Sequence, residues 1–215
     1  MKLKSTHIAI VVLIILHAVG LFGTAYYNEN LIKLTPINLL ISIALVLWFH
    51  INPNKQFIAY LLIVFLCGYL IELVGIRTGK IFGQYFYGFN LGYKLADVPV
   101  VIGINWIMLS YGSMNIVGLL SEKIKLFKNQ FMAPLIGATL MVFADYWIEL
   151  MCNRLDFWYW KGSVIPLQNF TAWFLFSFAF NFLFVRLQLP NKNIVAASLY
   201  IIQVLFFIGL NYFMI

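Results

Sequence analysis

The sequence has 215 residues, of which 63% are hydrophobic and only 10% are charged, and its net charge is +7. A soluble domain has about 45–50% apolar and about 25% charged residues, so this composition excludes a water-soluble globular protein, a disordered chain and a disulfide scaffold. We therefore predict an all-α polytopic membrane protein with one domain over residues 1–215. The basic residues lie mainly between apolar runs, as topology signals do, and no nucleic-acid partner is expected.

Seven apolar runs are long enough to cross a bilayer, which takes about 20 residues. Spans are predicted at residues 7–27, 34–50, 57–76, 98–120, 131–152, 168–187 and 194–214. The first run has no small-residue cleavage site after it, so we expect a retained helix and not a signal peptide. The second run is short. If it did not cross the membrane, every later span would have the opposite orientation.

The two ends of this bundle carry eight and six basic residues. This bias predicts a cytoplasmic N-terminus, and we expect the protein in a prokaryotic cytoplasmic membrane. Two longer segments, 77–97 and 153–167, both follow odd-numbered spans and so face the same side. The first is rich in Gly and Tyr and the second carries an aromatic cluster. Their aromatic residues are also compatible with an ordinary interfacial belt.

Matching spacings indicate an internal repeat with units at 57–120 and 131–187. Two features recur in each unit, an acid five residues before an arginine and a proline seven residues before a tryptophan: Glu72 and Arg77, Glu149 and Arg154, Pro99 and Trp106, Pro166 and Trp173. Because both units have the same predicted orientation, a duplication would relate them by an axis along the membrane normal. Coincidence is the alternative explanation.

Three of the seven acidic residues, Glu72, Asp145 and Glu149, lie inside apolar runs. An ionisable group there costs several kcal/mol unless it faces a polar interior, so each needs an explanation. Asp145 and Glu149 share one helical face, and Glu72 lies at a similar predicted depth. A cluster of this kind cannot be fully ionised, which leaves a protonated carboxyl beside an ionised one, as general acid and base catalysis requires.

The alternative is that Glu72 pairs with Arg77 and Glu149 with Arg154 at helix ends. Asp145 has no such neighbour. Because it is the deepest and should be the most desolvated acid, we expect it to be the proton donor, with Glu149 and Glu72 orienting or deprotonating water. Further candidates for positioning substrate or water are Arg77, Tyr85, Tyr87, Asp97, Asn105, Trp106, Trp147, Arg154, Trp158, Trp160, Asn169 and Trp173. No metal-binding motif occurs, and no metal or cofactor is expected.

Two blocks resemble the membrane carotenoid hydratase family, which includes carotenoid 1,2-hydratases and bisanhydrobacterioruberin hydratases. The first block is Glu72, Gly75, Thr78-Gly79-x-x-Phe82-Gly83-x-Tyr85-x-Tyr87, Leu91-Gly92, Val98-Pro99 and Asn105-Trp106. The second block is Asp145-x-x-x-Glu149, Trp158-x-Trp160, Pro166, Asn169 and Trp173. Together they cover about residues 68–175. One departure is Leu150, where the family often has Pro after the acid.

The resemblance implies cofactor-free hydration of the terminal carbon–carbon double bond of an acyclic carotenoid, of the lycopene or γ-carotene type, giving a 1-hydroxy carotenoid. The implied partners are an apolar carotenoid within the bilayer, water and the lipid itself. Carboxyl protonation to a tertiary cation, followed by water capture, fits the residues present. A carotene cyclase or isomerase would use the same protonation, and a proton-coupled transporter is the alternative from another class.

Overall fold

A computed structural model describes residues 2–214, and over this range the chain forms seven helices long and apolar enough to cross a membrane. They are α1 Lys2–Tyr26, α2 Thr35–Trp48, α3 Lys55–Thr78, α4 Val101–Leu120, α5 Met132–Cys152, α6 Leu167–Arg186 and α7 Ile194–Met214. The predicted all-α bundle of seven spans is confirmed. A 3-10 helix at Glu29–Leu34 lengthens the second span to 20 residues, so this span is also long enough to cross.

Local chemistry explains where the helices begin and end. The Asn54 side chain caps α3 by accepting a hydrogen bond from the Phe57 backbone N–H at 2.8 Å. Gly79 ends the same helix with a φ of 64°, a left-handed conformation that favours glycine. Pro36 lies in the first turn of α2, where a missing N–H costs no hydrogen bond.

The bundle is built around α4, whose span is 83% buried, compared with 22% for the span that contains α2. Helices α2, α3, α5, α6 and α7 all pack against α4. Glycines on α4 permit the close approach: a Cβ at Gly112 would lie 3.2 Å from the Ala196 carbonyl oxygen of α7. Because α4 is surrounded by helices, side chains near its first turns face the protein interior.

Four short strands form at the end of the bundle where α3 and α5 finish, a detail that the all-α prediction did not include. They are β1 Tyr85–Tyr87, β2 Lys94–Leu95, β3 Val98–Pro99 and β4 Trp158–Trp160. β1 pairs antiparallel with β4, and β2 with β3. The β1–β4 pair, hereafter the lid, joins the two aromatic loops over the ends of the helices.

Gly68 on α3 is the position where we expect a small substitution to disturb the core most. A Cβ there would lie 2.7 Å from Cγ of Trp106, which is fully buried and cannot move aside. Gly68→Ala is expected to destabilise the protein by about 1–3 kcal/mol through overpacking. The matched control is Gly20→Ala, since a Cβ there would meet only the half-buried Phe206 ring at 3.3 Å. Thermal unfolding in detergent checks both, and equal melting temperatures would contradict the packing argument.

Candidate active site

The lid places alternate aromatic side chains over the buried carboxyl groups. In its register Tyr85 pairs with Trp160 and Tyr87 with Trp158. Successive side chains on a strand point to opposite faces. Phe86 and Tyr159, the central pair, therefore lie on the other face, where their rings stack at 5.2 Å. The hydroxyl groups of the two tyrosines on β1 and the indole N–H groups of the two tryptophans on β4 therefore point toward the helices.

Glu72 on α3 is 4% exposed and accepts three hydrogen bonds. The hydroxyl groups of Tyr85 and Tyr87 donate to its Oε2 at 2.5 and 2.9 Å. The indole N–H of Trp106 donates to Oε1 at 3.1 Å. Three donors around one carboxyl group compensate for the lost water and suit its anionic form.

Glu149 on α5 lies beneath β4 and, like Glu72, is surrounded by hydrogen-bond donors. The indole N–H groups of Trp158 and Trp160 donate to its Oε2 at 3.0 and 2.7 Å. The Asn169 amide of α6 donates to Oε1 at 2.9 Å. Glu149, like Glu72, is 4% exposed, so both carboxyl groups rely on neutral donors instead of cations.

Asp145 lies one helical turn deeper than Glu149 and is 1% exposed. The same Asn169 amide nitrogen donates to its Oδ2 at 3.1 Å and so bridges the two acids. Within the described part of the chain, Asp145 Oδ1 has no hydrogen-bond partner. Asp145 can therefore carry a proton on an oxygen that accepts no hydrogen bond, whereas every carboxyl oxygen of the two glutamates accepts at least one.

A small cavity lies between Glu72 and Glu149, with a volume of about 20 Å³, enough for a water molecule. We call it the carboxyl cavity. Its wall consists of the two glutamates, aromatic and apolar side chains, and two amides: Glu72, Phe82, Tyr85, Tyr87, Ile102, Asn105, Glu149, Trp158, Trp160, Asn169 and Trp173. Asp145 is not in this wall, whereas Glu149 and the Asn169 amide that bridges the two acids both are.

Two tryptophans stack beside the carboxyl cavity. The rings of Trp106 and Trp173 are 3.9 Å apart and nearly parallel, at 12°. Trp106 is fully buried behind Glu72, and Trp173 contributes to the cavity wall. The electron-rich face of an indole attracts a cation. Stacking on Trp106 fixes the orientation of Trp173 in the cavity wall.

The lid tyrosines act only as hydrogen-bond donors at ordinary pH. Burial, together with the negative charge of Glu72, raises the pKa of Tyr85 and of Tyr87 well above the usual value of 10. Each hydroxyl therefore keeps its proton and continues to donate to Glu72.

Among the described residues, five predicted positioning residues are not in the cavity wall, and four of them, all except Trp106, also form no hydrogen bond with Glu72 or Glu149. Arg77 forms an exposed ion pair with Asp97 at 2.9 Å, so it does not pair with Glu72. Residues five apart on a helix are separated by about 140° around its axis, which explains the missing contact. Arg154 is exposed, and the Trp147 ring packs edge-on against Phe143 and Tyr146.

The other predicted residues are brought together, and three contacts were missed. Phe82 and Ile102 are apolar parts of the cavity wall, and the Cys152 thiol donates to Glu149 Oε2 at 3.5 Å. Two of the three had a signal in the sequence: Phe82 is part of the first block, and Cys152 lies three residues after Glu149 and so on the same face. Within residues 2–214, no group of three or more His, Cys, Asp or Glu side chains is arranged to hold a metal ion.

Fold and site define an integral membrane protein with buried carboxyl groups under an aromatic lid, near one end of a seven-helix bundle. A family model described as "Carotenoid biosynthesis protein" matches residues 34–215. The chain therefore belongs to this carotenoid biosynthesis family, and its role is in carotenoid biosynthesis. Neither the comparison with curated proteins nor that with solved structures gives a match.

Proposed function

We propose that the protein is a cofactor-independent carotenoid hydratase that adds water to the terminal double bond of an acyclic end group, of the lycopene or γ-carotene type. The observation that carries this proposal is the carboxyl cavity, in which two buried glutamates face a space for one water molecule. Hydration of an alkene needs a proton donor, a base and one water, and this cavity can supply all three.

The Asp145–Glu149 pair supplies the proton. Asp145 has the unpartnered oxygen and holds the proton at rest, and Glu149 lines the cavity. In this proposal the role of Asp145 is indirect, since its proton passes to Glu149 and from Glu149 to the substrate. Once Glu149 has given up the proton, Trp158, Trp160 and Asn169 already donate to the resulting anion. This preorganised stabilisation makes the carboxylic acid a better proton donor to carbon.

The remaining steps complete the addition of water. The alkene electron pair forms the new C–H bond at the less substituted carbon and leaves a tertiary cation, which the face of Trp173 stabilises. The oxygen of the cavity water bonds to the cation, and Glu72 takes the released proton. A following water molecule carries this proton from Glu72 back to the Asp145–Glu149 pair, because both glutamates line the same cavity.

The depth of the acids suits an apolar substrate that lies within the bilayer. With a rise of 1.5 Å per residue, Glu149 and Glu72 lie about 5 and 9 Å inside the ends of α5 and α3. A carotenoid chain among the helices would place its end group at this level, and water would come from the nearby surface. The lid above the cavity limits the number of water molecules that reach the cation.

The two alternatives to a hydratase are a carotene cyclase and a proton-coupled transporter. A carotene cyclase would form the same cation but exclude water, whereas the carboxyl cavity has room for water. A proton-coupled transporter would need ionisable groups across the full membrane depth. In this chain, the three acids inside the spans gather near one end. Both observations favour the hydratase.

Expression in a host that accumulates lycopene or γ-carotene tests the proposal. We expect a product heavier than the carotene by one molecule of water. An isomer of unchanged mass would instead identify a cyclase. Unchanged carotene alongside correctly inserted protein would refute both enzymatic proposals. Asp145→Asn expressed at the same level serves as the comparison, and its product yield should be strongly reduced.

A further inference from the structure

A second cavity, with a volume of about 40 Å³, lies beside the carboxyl cavity. The two cavities share three wall residues, Ile102, Asn105 and Trp158. One water molecule needs at least about 10–15 Å³, so the second cavity has room for a very small number of water molecules and for nothing larger. We call this space the side cavity.

Three polar side chains lie in the mostly apolar wall of the side cavity: Thr35, Asn105 and Gln203. Gln203 of α7 is only 6% exposed, and its Oε1 has no hydrogen-bond partner within residues 2–214. A buried amide oxygen without a partner is unfavourable, and water is the smallest molecule that can donate to it. The Thr35 hydroxyl donates to the Ile32 carbonyl oxygen, so its own oxygen can still accept a hydrogen bond. The wall therefore offers the polar partners that a buried water requires.

Asn105 of α4 connects the two cavities. It is half-buried and lines both spaces, and its side chain forms no hydrogen bond with any residue that the structure describes. An amide can both donate to water and accept from it. The Asn105 side chain can therefore bind water on either side of the shared wall.

The lid makes a second route for water useful. Each hydration consumes one water molecule, and the carboxyl cavity has room for one. Water that entered through the lid would have to break the four hydrogen bonds that its aromatic side chains donate to the two glutamates. Water that came from the side cavity would leave these four hydrogen bonds intact.

We propose that the side cavity binds the water that replaces the molecule consumed in each hydration, and that Gln203 and Asn105 position this water. Water would enter beside Thr35, the half-buried first residue of α2, bind at the Gln203 amide, and pass the Asn105 amide into the carboxyl cavity. This inference rests on the proposed hydratase function and specifies how its water is delivered. Gln203 is a positioning residue here, because it acts through the water.

The first test detects the bound water without requiring catalysis. X-ray radiolysis in water enriched in oxygen-18 converts water inside a protein into hydroxyl radicals, which add labelled oxygen to adjacent side chains. Phe157 lines the side cavity at 2% exposure, and the control is Phe180, which is 6% exposed and packs against Trp106. We expect about tenfold more label on Phe157 than on Phe180 in the wild type, and no such excess in Gln203→Leu. Equal label on both phenylalanines in the wild type would refute the water site.

The second test separates delivery of water from protonation of the alkene. In heavy water, deuterium at the end group of recovered carotenoid measures protonation, and the hydroxylated product measures capture of the cation. Gln203→Leu should lower hydration about tenfold and retain the exchange. The control Gln56→Leu makes the same change at an exposed position of α3 and should alter neither rate. Unchanged hydration in Gln203→Leu, or equal losses of hydration and exchange, would overturn the role of Gln203.

The two measurements keep two failures apart. Excess label on Phe157 that disappears in Gln203→Leu, without any hydration by the wild type, would support the water site and refute the hydratase. Hydration by a wild type without excess label would refute the water site alone. Thr35→Val changes another polar group of the wall and should also lower the label on Phe157, so it replaces Gln203→Leu if that variant does not fold.

Discussion

Glu149→Gln is expected to lower the rate of carotenoid hydration by roughly 10²–10⁴-fold, the range that general acid catalysis supplies. Glutamine has nearly the shape of glutamic acid but cannot give a proton to carbon. Its amide also cannot accept all the donors that surround Glu149, since its NH₂ group would face either the two indole N–H groups or the Asn169 amide. The loss should appear in kcat, because the apolar contacts of the substrate remain.

The control for this substitution is Glu122→Gln. Glu122 lies at the opposite end of the bundle from the lid. Its side chain is 58% exposed and forms an ion pair with Lys192. The hydrogen bond from Lys192 and its positive charge lower the pKa of Glu122, so the acid is ionised at neutral pH and its replacement by glutamine removes a negative charge. We expect activity to be unchanged. Single-turnover rates on an acyclic carotenoid check both variants, and an active Glu149→Gln enzyme would remove Glu149 from the chemistry.

Glu72→Gln is expected to lower net hydration by roughly 10²–10³-fold while protonation of the alkene continues. In the proposed reaction Glu72 takes the proton that water releases when it captures the cation. Without this base the cation is not captured efficiently and returns to the alkene by losing a proton. In heavy water the recovered substrate should therefore contain deuterium at its end group, although little product forms.

Two results would contradict this assignment of Glu72. If deuterium exchange and hydration fall together, Glu72 acts before the cation forms, as an acid or as a structural partner of the lid. If hydration is unaffected, the role of Glu72 is structural, as the hydrogen-bond acceptor that positions Tyr85 and Tyr87. Because three donors depend on this carboxyl group, the melting temperature of the variant must be measured beside its activity.

The sequence was sufficient to predict the seven spans, because hydropathy alone identifies segments of about 20 apolar residues. It was also sufficient to find the three acids, since charges inside such segments are rare and costly. It could not give the lid. β1 and β4 have three residues each, too few for the alternation of a strand to stand out, although Tyr85-Phe86-Tyr87 and Trp158-Tyr159-Trp160 do alternate.

The division of roles among the acids also depended on tertiary contacts. Spacing placed Asp145 and Glu149 on one face of α5, but only tertiary contacts show that Asn169 bridges them and that Glu149, not Asp145, lines the carboxyl cavity. Arg77 is only five residues after Glu72 in the sequence, but it pairs with Asp97. The two-residue turn between β2 and β3 brings the Asp97 carboxylate to the Arg77 side chain. Sequence spacing does not contain this information.

The repeat of residues 57–120 and 131–187 stays a prediction, and the contacts at the site are compatible with it. Glu72 and Glu149 each accept from two aromatic residues of one lid strand, and the strands pair with each other around Phe86 and Tyr159. Trp106 and Trp173, which the repeat equates, stack on one another. An axis along the membrane normal would relate these contacts. Two related halves would thus have placed two carboxyl groups at one cavity.

The most direct test of the proposed hydration is oxygen labelling with the purified protein and an acyclic carotenoid in water enriched in oxygen-18. We predict a product that carries one labelled oxygen in a tertiary hydroxyl group. Glu149→Gln under the same conditions should give almost none. A converted carotenoid without labelled oxygen, such as a cyclised isomer, would contradict hydration, and so would unconverted carotenoid in the presence of correctly folded protein.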